Sequence, residues 1–321
     1  MPRSTRAVGV GLTVISAFAF GSGALFAKPV YATGVDWFTL MTWRFTIGAA
    51  LSWAWVMATA SGRGAIGTLD RRAIAVAIAL GVLYTGNSST YFAGLETVPA
   101  SLAALIVYVY PAIVAVLALR FGRRLEGRRA WGALGLALVG VVVAVGAIDG
   151  KVVPPVSGLL LMAASPLIYS VWIVLSARLA GERRSGVGSA ADRGPDPTVA
   201  GALMISATAV AFWLAGLTLG RPALPSTIPG AAWGGILGVG AVSTFVAIQA
   251  FYAGAHRIGA ARASLVSTVE PIWTIVLAGI LFGERLTPLQ LVGGALILGG
   301  VIVAQTQPAS ASASELRIAD E

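Results

Sequence analysis

Ten apolar stretches of roughly twenty residues, at 7–27, 37–58, 73–94, 99–119, 130–148, 156–177, 198–219, 230–253, 261–282 and 288–305, limit this chain more than any other feature. About 20 apolar residues carry a helix across a hydrocarbon core about 30 Å thick. Barrel strands instead alternate lipid-facing and lumen-facing residues over about ten positions. These stretches are longer and unbroken, so they predict helices. Composition agrees: 57% of residues are hydrophobic and 11% charged, whereas an ordinary soluble domain carries about 25% charge. The expected fold class is an all-α membrane protein with ten transmembrane helices. The apolar run after Arg6 resembles a signal peptide but is too long for one, and it reads as the first span. The segment 308–321, rich in Ala and Ser, reads as a disordered cytoplasmic tail.

Lys and Arg set the orientation. With the N-terminus in the cytoplasm, 17 of the 22 basic residues fall in cytoplasmic segments, including Arg71, Arg72, Arg123, Arg124, Arg183 and Arg184. Lys28, Lys151, Arg221 and Arg285 fall on the other side, and Arg44 lies inside a span. This positive-inside bias places both termini in the cytoplasm and requires an even number of spans. It also accounts for the net charge of +9. The arginines are dispersed, so no nucleic-acid partner is implied. With no cysteine and one histidine, His256, disulfides, thiolate sites and a histidine metal site are not expected, and no cofactor is implied.

The chain repeats itself. Shifting 91–118 by 160 residues onto 251–278 matches ten of 28 positions, among them Gly94 with Gly254 and Pro111 with Pro271. The halves are expected at 1–150 and 151–307, five spans each. An odd number of spans inverts the second copy in the membrane, which is the architecture of many secondary transporters. Pro111 and Pro271 sit at mid-span, where each removes a backbone donor and frees a carbonyl. They mark either a substrate site or two kinks that fit the bundle.

The two five-span halves, Trp43-Arg44-Phe45, and the run Val269-Glu270-Pro271-Ile272-Trp273 followed by Gly283-Glu284-Arg285-Leu286 resemble the drug/metabolite transporter superfamily, and within it the EamA family. The resemblance covers nearly the whole chain outside the tail and the polar stretch 180–197. In the first half, Arg123 or Arg124 stands where the family often repeats the motif's glutamate. The resemblance implies a carrier that exports amino acids or other small metabolites by alternating access, with a small-molecule substrate and the lipid bilayer as partners.

Few residues offer chemistry. Glu270 is the one carboxylate deep in a span, where a charge costs about 2.5–3.5 kcal/mol on insertion scales and needs a partner, water or a proton. It suits proton coupling or a substrate amine; the alternative is a protonated side chain that ties helices together. Ser267 and Thr274 share its face. Arg44 is the one deep base. It meets a substrate carboxylate, pairs with Glu270, or snorkels. Asn87, Tyr91, Tyr108, Ser165, Tyr169, Trp172, Gln249, Tyr252 and Trp273 form a polar and aromatic set suited to an amphipathic ligand, or else to linking helices. Tyr31, Trp37 and Trp233 read as interfacial belt. Gly230, Gly234 and Gly238 form a small-residue face for close helix packing. Glu284 and Arg285 read as a loop salt bridge or cap. An intramembrane enzyme, a channel and a receptor are the competing classes. One deep carboxylate without a catalytic partner argues against the first, the repeat against the others, and no Walker motif is present.

Overall fold

The computed structural model describes residues 3–67, 69–119, 127–146, 153–179, 196–221, 223–258, 263 and 266–305. The tail and the segments holding Arg123, Arg124, Arg183 and Arg184 lie outside the described residues. The chain forms α1 (Arg3–Gly21), α2 (Gly23–Ala32), α3 (Trp37–Ala58), α4 (Ala60–Ile66), α5 (Arg71–Thr97), α6 (Ala100–Val107) and α7 (Tyr110–Leu119). It continues with α8 (Gly127–Gly146), α9 (Val156–Leu179), α10 (Pro197–Thr218), α11 (Trp233–Leu237), a π-helical segment Gly238–Val246, α12 (Ala247–Ile258), α13 (Val269–Phe282) and α14 (Pro288–Gln305). Among the described residues there is no strand.

The starts and stops follow side-chain chemistry. Asp36, Asp70 and Asp196 precede α3, α5 and α10, and each carboxylate accepts a backbone N–H of the first turn, at 2.8, 2.6 and 2.8 Å. Such caps satisfy donors that have no intrahelical partner. Gly283 ends α13 with φ +67°, a left-handed conformation that glycine adopts without a Cβ clash.

Among the described residues five helical stretches are long and apolar enough to cross a membrane: Ala7–Ala32, Arg71–Thr97, Val156–Leu175, Thr198–Thr218 and Gly230–Phe251. Shorter apolar helices run over Ala100–Val114, Trp131–Ala144, Val269–Phe282 and Pro288–Val303. The chain is thus an all-helical, multi-pass membrane protein.

Two expected spans are interrupted at corresponding places. The helical run that starts at Ala100 breaks at Tyr108–Val109, and the chain breaks again at Ser267–Thr268. Pro111 and Pro271 follow these breaks by two and three residues. Proline cannot donate to the carbonyl four residues back, and the interruption falls in that turn. The first span is also interrupted, at Ser22 between Gly21 and Gly23. A further correspondence lies in α3 and α10, which are both 22 residues long and start 160 residues apart.

Bare backbone brings helices together where apolar side chains supply no hydrophobic contrast with lipid. A Cβ at Gly140 of α8 would lie 2.6 Å from the Gly293 carbonyl oxygen of α14. The expected face at Gly230, Gly234 and Gly238 needs correction. A Cβ at Gly230 or Gly234 meets nothing within 4 Å, whereas one at Gly235 or Gly238 would collide with Phe26, Val30 or both. The cause is the backbone: a 3-10 turn at Gly230–Ala232 gives way to five α-helical residues and then to the π-helical segment. No constant spacing of four survives those changes of pitch.

Candidate functional site

Arg44 sits in the middle of α3 and is 6% exposed. Its Nε donates to Thr244 Oγ1 at 2.8 Å, and its guanidinium carbon lies 5.0 Å from the Phe45 ring centroid and 4.7 Å from that of Phe92. Nη1 has the Met41 sulfur at 3.9 Å, and the Tyr84 phenol is within hydrogen-bonding reach. The charge is therefore held by two aromatic faces and neutral polar groups, an arrangement that stabilises a desolvated cation. Among the described residues Arg44 makes no ion pair, with Glu270 or any other carboxylate.

Glu270 occupies the first turn of α13, just past the second break. It keeps partial exposure, and its carboxyl is near enough for its charge to act on the phenols of Tyr84, Tyr91, Tyr108 and Tyr110. Arg44 acts on Tyr84 and Tyr91 as well. Both ionisable groups thus act on Tyr84 and Tyr91, and they do not pair with each other.

Tyr84, Tyr108 and Tyr110 belong to one aromatic cluster with Tyr169 and Trp172, while Tyr91 packs on Phe92. Tyr169 stacks on Trp172 with centroids 5.7 Å apart, Tyr110 meets Tyr169 at 4.8 Å and Tyr108 at 5.6 Å, and Tyr84 meets Trp172 at 5.1 Å. Trp172 Nε1 donates to the Leu80 carbonyl at 3.1 Å, which fixes its ring. Tyr108 Oη donates to the Ser267 carbonyl at 2.5 Å. That carbonyl is the one Pro271 leaves without an i+4 donor, so a side chain from the first break satisfies the second.

Other candidates are employed differently. Asn87 Oδ1 accepts from Ser165 Oγ at 2.9 Å and links α5 to α9. Trp273 stacks on Phe18 at 4.2 Å and donates to Ser22 Oγ at 3.0 Å, at the interruption of the first span. Thr274 donates to the Gly21 carbonyl at 2.9 Å. Gln249 is half-buried on α12, and among the described residues its side chain has no hydrogen bond. The Tyr252 side chain lies outside the described residues. Tyr31, expected at the interface, instead donates to the Phe92 carbonyl at 3.0 Å. Sequence reasoning missed Tyr84 and Tyr110. Tyr84 precedes Tyr91 by seven residues, two helical turns along one face, and Tyr110 immediately precedes Pro111 as Glu270 does Pro271.

The end of the bundle near these residues is stitched by polar contacts. Lys28 Nζ donates to the Val98 carbonyl at 2.7 Å, Glu96 accepts from Trp37 N at 2.6 Å, and Arg221 pairs with Asp36. Glu284 accepts from Ala100 N, Ser101 N and Ser101 Oγ at 3.0, 2.8 and 2.6 Å. It is a cap on α6, contributed by a distant part of the chain. Among the described residues no three His, Cys, Asp or Glu side chains gather into a metal-binding group.

The sequence profile of the EamA-like transporter family matches residues 7–146 and again residues 156–306. The chain belongs to the EamA-like transporter family. The family lies within the drug/metabolite transporter superfamily, and its two matches divide this EamA-like chain into two copies of one unit. An uncharacterized transporter of Archaeoglobus fulgidus is 27% identical over 229 residues, 67% of this chain and 71% of the relative. One crystal structure, described only as that of a protein, is similar with a TM-score of 0.65 at 24% identity, covering 93% of this chain and 97% of that one. At that identity the likeness speaks to the EamA-like fold alone.

Proposed function

We propose that this EamA-like membrane transporter is a secondary carrier that exports amino acids or other small metabolites across the plasma membrane by alternating access. Ten spans form two inverted five-helix repeats, 1–150 and 151–307, with both termini cytoplasmic. What supports the inverted pairing is the corresponding interruption of the chain before Pro111 and Pro271, and the family match to each half.

The observation that carries the substrate reading is Arg44, a buried guanidinium with no ion pair among the described residues, together with Glu270 on the first turn of α13, whose charge acts on the same tyrosines, Tyr84 and Tyr91. In this reading Arg44 receives the substrate carboxylate and Glu270 its amine, or the coupling proton, while Tyr108, Tyr110, Tyr169 and Trp172 wall the cavity. Burying one ion without its counterion is costly, whereas a zwitterion brings a counter-charge to each. Asn87 and Trp273 brace that wall through their neighbours; Gln249 and Tyr252 serve on the α12 side.

Counterflow in proteoliposomes tests the proposal with amino acids, purines and cationic dyes, with and without a pH gradient. Flux of at least one zwitterion is expected, and it should fall at least tenfold in Glu270→Gln. No flux of any compound beside a working control carrier refutes the transport reading. Unchanged flux and unchanged gradient dependence in Glu270→Gln refute the role of that residue.

A further inference from the structure

We infer that Thr244 is a positioning residue for Arg44, and that the π-helical segment Gly238–Val246 exists to place its hydroxyl there. The inference rests on the reading of Arg44 as the carboxylate-binding group.

A guanidinium has five N–H donors in a planar fork, and a carboxylate can dock either along the Nε side or end-on at the two terminal nitrogens. Thr244 Oγ1 accepts from Nε at 2.8 Å, which occupies the Nε side. The terminal nitrogens remain: among the described residues Nη1 has the Met41 sulfur at 3.9 Å, and the Tyr84 phenol lies close to the guanidinium. With Phe45 and Phe92 against the guanidinium, end-on docking toward the tyrosine pair is the geometry left for an anion.

The hydroxyl of Thr244 can accept from Nε because its own hydrogen is committed elsewhere. Many helical Ser and Thr in this chain donate to the carbonyl four residues back, as Thr13 does to Gly9, Thr42 to Phe38 and Ser206 to Ala202. Thr244 instead donates to Val239, five residues back, at 3.0 Å. Only the wider π turn brings that carbonyl into register. In an α-helical register the partner would be the Gly240 carbonyl, on a residue packed directly against α3. A Cβ at Gly240 would lie 2.8 Å from Ile47 Cβ and 3.1 Å from the Arg44 carbonyl oxygen. One turn beyond Arg44, a Cβ at Gly48 would lie 2.8 Å from Thr244 Cγ2. Two glycines therefore let the segment seat its threonine against the arginine helix.

The test compares L-phenylalanine with L-phenylalaninamide, which keeps the amine and the ring and loses the carboxylate. Apparent Kd values come from ligand-induced stabilisation of the purified full-length carrier. The unsubstituted protein should prefer the acid. Thr244→Val, close in shape but without the acceptor, should lower the acid-to-amide ratio by about tenfold, equivalent to about 1.4 kcal/mol, and Thr244→Ser should restore it. Gly48→Ala displaces Thr244 without removing any polar group, and should lower the ratio too. A general packing defect would weaken both ligands alike and leave the ratio intact. If Arg44→Gln abolishes the preference while Thr244→Val and Gly48→Ala keep it, the positioning role is wrong and the Arg44 reading stands. If the unsubstituted carrier binds neither ligand or has no preference, or Arg44→Gln keeps the preference, the Arg44 reading fails and this inference falls with it.

Discussion

Tyr108→Phe tests how the two helix breaks hold each other. The substitution removes one hydroxyl, which donates to the Ser267 carbonyl at 2.5 Å. That carbonyl still accepts from Glu270 N at 3.0 Å, so it is not orphaned and the full penalty of an unpaired buried acceptor does not apply. Hydrogen bonds between membrane helices contribute about 0.6 kcal/mol on average and about 1.7 at most. Tyr108 is 4% exposed, which leaves its hydroxyl little access to a substituting water and puts the expected cost in the upper part of that range, about 1–1.7 kcal/mol. Pro271→Ala supplies the missing N–H four residues beyond Ser267, a second donor for the same oxygen. Tyr108→Phe should therefore cost about 1 kcal/mol less in the Pro271→Ala background, a coupling well outside the additivity of about 0.5 kcal/mol expected for independent sites. The assay is a double-mutant cycle on reversible unfolding in mixed micelles. Additive effects, or a neutral Tyr108→Phe, refute the claim that the proline-freed carbonyl is what the tyrosine satisfies.

Three further outcomes are expected. Glu284→Ala removes three hydrogen bonds to the start of α6 and should destabilise the unfolding transition by about 1–2 kcal/mol, the value of a helix cap; a change under a third of that argues against a cap that holds the bundle together. Gly293→Val places a branched side chain where a Cβ already lies 2.6 Å from the Gly140 carbonyl oxygen, so α8 and α14 must separate and the melting temperature should fall by several degrees, about 1–3 kcal/mol of overpacking; a wild-type melting curve shows that these helices do not pack as described. A single cysteine at position 190 of the cysteine-free chain should react with membrane-impermeant maleimide only in opened vesicles, and labelling from outside intact cells overturns the proposed orientation.

Much of this was legible because membrane helices are written as long apolar runs, and because duplication repeats the same residue types at a fixed offset. Pro111 and Pro271 could be found that way, and so could Glu270 and Arg44, since charge is scarce enough in the spans to stand out. The partners of those groups were not legible. That Arg44 would rest on Thr244 depends on a change of helical pitch at Gly238, and apolar residues in a membrane helix carry no pattern that distinguishes an i+4 ladder from an i+5 ladder. The partner of Tyr31 was not legible for a related reason: an aromatic near a span end gives no sign of which carbonyl its hydroxyl meets, and the packing of α2 on α5 supplies that of Phe92. Glu284 was readable as a cap, but not as a cap on a helix about 180 residues away, because nothing local in either segment records that contact.

The halves differ at their two deep ionisable positions. At the offset of 160, Arg44 of α3 falls on Met204 of α10, and Glu270 of α13 falls on Tyr110 of α7. The first half thus supplies the cation and the second half the anion, each at a position where its counterpart is neutral. Tyr110 and Glu270 both stand just before the breaking proline, and the charge of Glu270 acts on the Tyr110 phenol. A second glutamate at 110 would add a like charge within reach of Glu270 in a low-dielectric interior, where like charges repel. A tyrosine keeps the polar wall and avoids that cost. Because the two charges belong to different halves, any movement of one half against the other changes the Arg44–Glu270 separation. In the proposed reading, a zwitterion that spanned both groups would bind best at one separation, so its binding energy would favour one arrangement of the halves, which is what a ligand must do to shift a conformational equilibrium.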